Sequence, residues 1–255
     1  HTRAAYVTGV LTCALPIWFN MKKFFCSLLV LVLALAMALP AFAAGKLVVS
    51  DETMTVCESY SGYTAYIFAV LENTGDKPVE FNAGLIELLD ADGESIDAED
   101  YLYSYPTILD PGQKAYLKEY INVDDAESAD YIDDYTLSVS GKSASENTNV
   151  ALDCTAEVGM KPYSYTSSSE YLTATITVTN NLDETVREIY AAYALYDADG
   201  KVMYVDYVSP SYVGLPAGQT IELDSQIDST LVEQWEKDGV EPASIEVIAY
   251  SRQGW

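Results

Sequence analysis

The same nine-residue phrase appears twice in this chain, and that repetition limits what it can fold into more than any other feature. Leu88–Ile96 reads LLDADGESI and Leu195–Met203 reads LYDADGKVM. Asn73 aligns with Asn180, Val79 with Val186, and Asp90-Ala91-Asp92-Gly93 with Asp197-Ala198-Asp199-Gly200, all 107 residues apart. LDPGQ (Leu109–Gln113) then aligns with LPAGQ (Leu215–Gln219) at a spacing of 106. A period of that length is too long for a solenoid repeat and matches a whole domain. The chain is therefore expected to hold two copies of one domain, at 44–142 and 143–255. The polar run Gly141–Asn149 (GKSASENTN) reads as the junction between them.

Each copy reads as strands. Leu172, Ala174, Ile176 and Val178 alternate with Thr173, Thr175, Thr177 and Thr179. That period of two puts apolar side chains on one face and polar β-branched ones on the other. Ile189, Ala191, Tyr193 and Leu195 alternate in the same way with Glu188, Tyr190, Ala192 and Ala194. Tyr63–Leu71 and Val79–Leu89 take these parts in the first copy, and each copy closes with a short β-like run, Tyr135–Ser140 and Ser244–Ser251. Turn clusters separate the strands, which predicts an all-β fold of two tandem β-sandwiches. One amphipathic helix is expected over Ser229–Gly239, with Ser229 capping its start and Gly239 ending it. Asp124–Asp134 of the first copy should form one or two helical turns.

The YALYD segment (Tyr193–Asp197) is similar to the motif that names the FxLYD domain, with Tyr in place of Phe. The flanking pattern also follows that family: a strand, an N…D…V stretch, a strand ending in LYDADGK, then L-x-x-G-Q before the next strand. The first copy departs from it, with IELLD at Ile86–Asp90. The resemblance implies immunoglobulin-like sandwiches of a bacterial secreted or surface protein, and it implies no catalytic residues.

The amino-terminal segment reads as processing rather than fold. Val7–Ile17 (VTGVLTCALPI) resembles a translated sequencing-library adapter, whose usual reading has Gln where Leu11 stands, so 1–20 is set aside as non-native. From Met21, Lys22 and Lys23 precede the uncharged apolar run Phe24–Leu39, and Ala41-Phe42-Ala43 supplies a cleavage site. This is the pattern of a secretory signal peptide over 21–43. The run has 16 residues, short of the roughly 20 that span a bilayer. Cys26 sits too early in it for a lipoprotein anchor. The expected location is extracellular, with no membrane attachment after cleavage.

Charge narrows the partners. Residues 1–43 hold three cations and no acid, so 44–255 carries −29 against −26 for the whole chain. Such a surface repels nucleic acid and anionic membranes. The expected partner is an extracellular protein or a glycan.

The lone histidine, His1, falls in the segment set aside. Its loss removes Ser-His-Asp and Cys-His nucleophile systems and His-ligated metal sites. Paired carboxylates could serve a glycosidase, but with 39 acidic residues pairs arise by chance. No catalytic residue, enzyme activity or cofactor is expected. The acidic run Asp124, Asp125, Glu127, Asp130, Asp133, Asp134 is the best candidate for calcium, a hard cation that prefers oxygen ligands; a solvated face is the alternative. The DADG pairs are weaker candidates. An EF-hand loop from Asp90 would need an acid where Tyr101 stands and a glycine where Ser95 stands. Asp90 and Asp197 instead suit the first position of a type I turn, with Gly93 and Gly200 left-handed. A two-residue Asp-Gly turn is the alternative. Cys57 and Cys154, one in each half, either join the halves or stay free.

Tyrosine is abundant: 20 of the 21 fall after residue 43, including YLYSY at Tyr101–Tyr105 and YSY at Tyr163–Tyr165. Tyrosine suits pleated strands. Its apolar ring and polar tip also suit sugar stacking and protein interfaces. The function expected is a non-catalytic exported interaction or spacer protein. A carbohydrate-binding protein using exposed tyrosines and a calcium-dependent adhesion unit are the alternatives.

Overall fold

A computed structural model describes residues 45–124, 126–163, 169–210 and 213–252. The adapter-like stretch and the segment 21–43 expected to be a signal peptide lie outside these residues, as does Asp125. The described fold is all-β with one short helix near its end. The first copy runs β1 (Leu47–Ser59), β2 (Gly62–Asn73), β3 (Val79–Leu89), β4 (Ser95–Glu99), β5 (Ser104–Tyr105), β6 (Ile108–Leu109), β7 (Lys114–Asp124), a 3-10 turn (Ala129–Tyr131) and β8 (Asp134–Ser143). The second runs β9 (Asn149–Pro162), β10 (Glu170–Thr179), β11 (Ile189–Tyr196), β12 (Val202–Val208), β13 (Thr220–Gln226), α1 (Ser229–Asp238) and β14 (Ser244–Arg252).

The two copies share their wiring. In each, one sheet centres on the second strand: β1-β2-β7 in the first, β9-β10-β13 in the second. The facing sheet centres on the third strand, β4-β3-β8 and β12-β11-β14. Register repeats as well. Ala69 faces Leu117 on β2 and β7, and Ile176 faces Leu223 on β10 and β13. The third strand is bulged at one place in both copies, at Leu88/Leu89 and at Leu195/Tyr196. β9 differs from β1 because it serves both sheets of its sandwich: residues 149–152 pair with β14, and 153–162 pair with β10.

Ala65, Ile67, Ala69 and Leu71 of β2 fill the first sandwich against Val79, Ile86 and Leu88 of β3. The other face of β2 is buried too. Tyr66, Phe68 and Val70, with Tyr116 of β7, join the hydrophobic core of the second half. β11 is buried on both faces in the same way, with Ala192, Ala194 and Tyr196 buried as well as Ala191, Tyr193 and Leu195. Strict alternation predicts one solvated face for such a strand. The reason for the difference is that the sandwiches stack, the outer face of β1-β2-β7-β5 lying on β11, β12 and β14. The described strands thus stack in four layers, two of which β9 joins into one six-stranded sheet.

Ion pairs and hydrogen bonds tie this junction. Lys114 meets Glu246 at 2.7 Å, and Lys118 pairs with Asp206. Burial favours loss of the Lys118 proton, but the Asp206 carboxylate outweighs it and holds the ammonium charged. Asp51 Oδ2 accepts the Val202 N–H at 2.7 Å, and Tyr66 donates to Asp228 at 3.3 Å.

Several local expectations need correction. β8 runs on through Ser143, with Gly141 opposite Phe81, so only 144–148 separates the copies. Glu188 precedes β11 at φ 50° instead of belonging to it. The cap of α1 is Asp228, not Ser229, because its carboxylate accepts the Thr230 N–H at 2.9 Å. Gly239 ends the helix at φ 71°.

Candidate functional site

The paired DADG segments come first because they decide between a metal loop and a turn. Gly93 donates to Asp90 O at 2.9 Å, and Gly200 to Asp197 O at 3.1 Å. Asp90 Oδ1 accepts the N–H groups of Asp92 and Glu94 at 3.0 and 2.9 Å. Asp197 Oδ1 accepts those of Asp199 and Lys201 at 2.9 and 2.8 Å. Asp90 N–H and Asp197 N–H close the loops onto Glu94 O and Lys201 O, each at 3.0 Å. Gly93 and Gly200 lie at φ 80° and 79°. These are three-residue hairpin loops with a left-handed glycine, and the aspartates organise backbone amides.

A second repeated device is Asn73 and Asn180, both fully buried. Asn73 Nδ2 donates to Lys77 O and Leu109 O at 2.8 and 3.0 Å. Asn180 Nδ2 donates to Glu184 O and Leu215 O at 2.7 and 2.8 Å. Each side chain holds two loops of its sandwich together. Their alignment was visible in sequence, but this role was not.

The described members of the acidic run do not all gather at one point. Asp124, Glu127 and Asp130 line a shallow pocket with Ile96 and Tyr131, while Asp133 donates its N–H to Leu89 O and Asp134 opens β8. Among the described residues, no three Asp, Glu, His or Cys side chains stand close enough together to hold a metal ion. Cys57 and Cys154 are both free thiols. They point at different backbone carbonyls, Thr230 O and Val247 O. Burial, reinforced by Asp228, pushes the Cys57 thiol up to about 11.

The junction itself carries the most distinctive site. Tyr105 of β5 stacks on Tyr207 of β12 at 3.7 Å and 17°, so the first half lays a ring flat on the second. Tyr190 of β11 lies 6.3 Å from Tyr105 and stacks on Tyr250 of β14 at 5.5 Å. The Arg252 guanidinium sits over the Tyr190 ring at 4.7 Å, within cation–π range. Tyr101 and Tyr103 meet edge to face at 5.0 Å. They are 72% and 49% exposed, which leaves their rings free to receive a ligand. Tyr101, Tyr103, Tyr105, Tyr190, Tyr207 and Arg252 line an open cleft of about 590 Å³ with Glu80 and Asp100 at its wall. Desolvation raises the Tyr105 phenol, and its hydrogen bond to Tyr207 adds to the effect. The cleft presents phenol groups that can both donate and accept, beside the side chains of Glu80, Asp100 and Arg252. It can hold a molecule by stacking and hydrogen bonding.

YLYSY was noticed in sequence for its tyrosines, and it supplies three of the cleft's rings. Tyr190, Tyr207 and Arg252 were missed. Their one signal was aromatic or charged character at strand positions next to apolar ones. Tyr163 of the YSY segment pairs with Tyr171 at 4.9 Å instead of joining the cleft, and Tyr165 lies outside the described residues.

No protein-family model matches the chain, and no curated protein does. Among solved structures it is similar to the crystal structure of red sea bream transglutaminase, at 9% identity and a TM-score of 0.23. The match covers 81% of this chain and 30% of that one, so this chain spans under a third of that protein's length. A likeness of that size carries no argument about activity.

Proposed function

We propose that this chain is an exported, non-catalytic interaction protein, built from two immunoglobulin-like domains of the FxLYD kind, that binds its partner in the tyrosine-lined cleft at their junction. The observation that carries the reading is the convergence of Tyr101, Tyr103 and Tyr105 from one half with Tyr190, Tyr207 and Arg252 from the other. A cleft of a few hundred Å³ that sets aromatic rings beside polar groups suits ligand recognition. Export is supported by the signal-peptide pattern over 21–43, and the acidic surface suits an extracellular setting.

A glycan is the partner class the cleft favours. The exposed faces of Tyr101 and Tyr103 suit the C–H face of a sugar ring, while Asp100, Glu80 and Arg252 supply acceptors and donors for its hydroxyls. A glycan array with the parent protein and Tyr101→Ala tests this. The expected result is binding to one glycan class that Tyr101→Ala weakens about ten-fold, close to 1.4 kcal/mol. No glycan binding, or binding that neither Tyr101→Ala nor Tyr103→Ala alters, would remove the glycan reading in favour of a protein partner.

A further inference from the structure

Lys118 of β7 and Asp206 of β12 form the most sequestered ion pair among the described residues, with side chains 27% and 13% exposed. The carboxylates that Lys114, Lys142 and Lys161 meet are all at least 37% exposed. Phe68 lies opposite Lys118 across β2 and β7, and Tyr193 lies opposite Asp206 across β11 and β12. The Lys118 nitrogen also stands 5.5 and 5.6 Å from the ring centres of Tyr120 and Tyr207. An amine and a carboxyl group are thus held in contact among aromatic rings, one from each copy.

The two oxygens of Asp206 are occupied differently. Oδ1 meets the Lys118 nitrogen and accepts the Tyr207 N–H at 2.7 Å. Oδ2 accepts the Tyr204 hydroxyl at 3.0 Å and the Ser225 hydroxyl at 3.4 Å. Tyr193 donates in turn to Ser225 Oγ at 3.0 Å. Burial holds the Tyr204 phenol well above its ordinary range, so it stays a proton donor. In the Lys114–Glu246 and Lys161–Asp224 pairs, by contrast, the ammonium and a hydroxyl fall on the same oxygen. The split at Asp206 prepares its Cγ for attack, because charge developing on Oδ2 meets two donors already in place.

We propose that Lys118 and Asp206 condense into an isopeptide bond that ties the two copies together covalently. The Lys118 ammonium passes one proton to Oδ1, its nitrogen attacks Cγ, and the charge that forms on Oδ2 is held by Tyr204 and Ser225. A second proton then passes from the nitrogen to Oδ1. The Cγ–Oδ1 bond breaks, Oδ1 leaves as water, and the Cγ=Oδ2 double bond reforms. Nothing is oxidised or reduced, and no co-reactant takes part. At rest the carboxylate keeps the ammonium charged; burial disfavours both charges and so works for the first transfer. Free amines and acids in water do not condense usefully, but groups held in reacting geometry behave as if present at about 10⁵–10⁸ M. The amide also removes two charges that are costly to keep from water.

Tryptic digestion of the denatured full chain, read by tandem mass spectrometry, tests this. Trypsin does not cut after an acylated lysine. Lys118 and Asp206 should therefore appear in one species, Ala115–Lys142 joined to Val202–Lys237 and lighter by one water than the two peptides together. Dehydration at an Asp-Gly step such as Asp199-Gly200 changes the mass equally but joins no peptides. Lys118→Arg, which keeps the charge, and Asp206→Ala should each give separate peptides only. Cleavage after Lys118 in the parent with no joined species, or a joined species that persists in Lys118→Arg, would overturn the proposal.

Discussion

Phe68 tests whether the two sandwiches are one stacked body. Its side chain is fully buried, 5.0 Å from the Tyr204 ring across the junction and 6.4 Å from Tyr120. Its neighbour Ile67 points into the first sandwich's own core. Truncation of a buried Phe to Ala costs about 3–5 kcal/mol. The two ring contacts, each worth about 0.5–1.5 kcal/mol, place Phe68→Ala in the upper part of that range. Were the sandwiches independent, Phe68 would stand on a solvent-facing sheet, and its removal would change stability by about 0.5 kcal/mol or less. Equilibrium unfolding in urea separates the cases when followed by circular dichroism and by fluorescence, with Trp235 lying 6.2 Å from Tyr204 in the second half. Stacking requires that a substitution in the first half move the transition seen in the second. A loss below about 1 kcal/mol, or a fluorescence transition that stays in place, would refute the stacked arrangement.

Other outcomes follow from single groups. A Cβ at Gly200 meets no atom within 4 Å, so only its φ of 79° opposes a side chain. Gly200→Ala should therefore cost about 1–2 kcal/mol in the same unfolding assay, and calcium should leave the melting temperatures of parent and variant unchanged. Alkylation of residues 44–255 without reductant, read by intact mass, should add two labels in denaturant, at Cys57 and Cys154, and label the native protein slowly, because Cys57 is buried and its thiol is raised to about 11. Burial lifts the Glu52 carboxyl above its ordinary 4.5, with Lys201 opposing and Asp51 adding to the effect, and its Oε2 is buried without a partner among the described residues. The folded state then holds that proton more tightly than the unfolded one. The resulting stability is full below pH 4.5 and is lost as pH rises through the folded value. Glu52→Gln should raise the melting temperature at pH 7 and leave it unchanged at pH 4; no gain at pH 7 would count against this account.

The strands and their duplication were legible because both rest on local pattern. Thr173–Thr179 alternates cleanly, and Asp90–Gly93 carries the residues a tight turn needs. The stacking was not legible, because its cause lies in the other copy of the repeat. Tyr66, Phe68 and Val70 look like ordinary outward positions of a β-rich stretch until a second sandwich covers them. For the same reason the cleft could be read only in part. YLYSY announces tyrosines, but nothing local tells Tyr105 that it will stack on Tyr207, some hundred residues away. The helix cap was misplaced by one residue because Asp228 and Ser229 are both competent caps, and backbone geometry chose Asp228.

The junction joins unlike surfaces: the β2 sheet of one copy meets the β11 sheet of the other. A head-to-tail contact of this kind does not close on itself, so the same geometry could add molecule after molecule into a fibre. What opposes such growth is the chemistry of the two end faces. Thr175, Thr177, Glu222, Asp224 and Lys161 cover one end, with Lys161 bonded to Asp224 at 2.6 Å. Glu87, Thr136, Ser138 and Ser140 cover the other. Solenoid proteins end their stacks with polar terminal repeats in the same way. The two copies have thus diverged where it matters for solubility, each keeping one greasy face for its sibling and turning a hydrophilic one toward solvent.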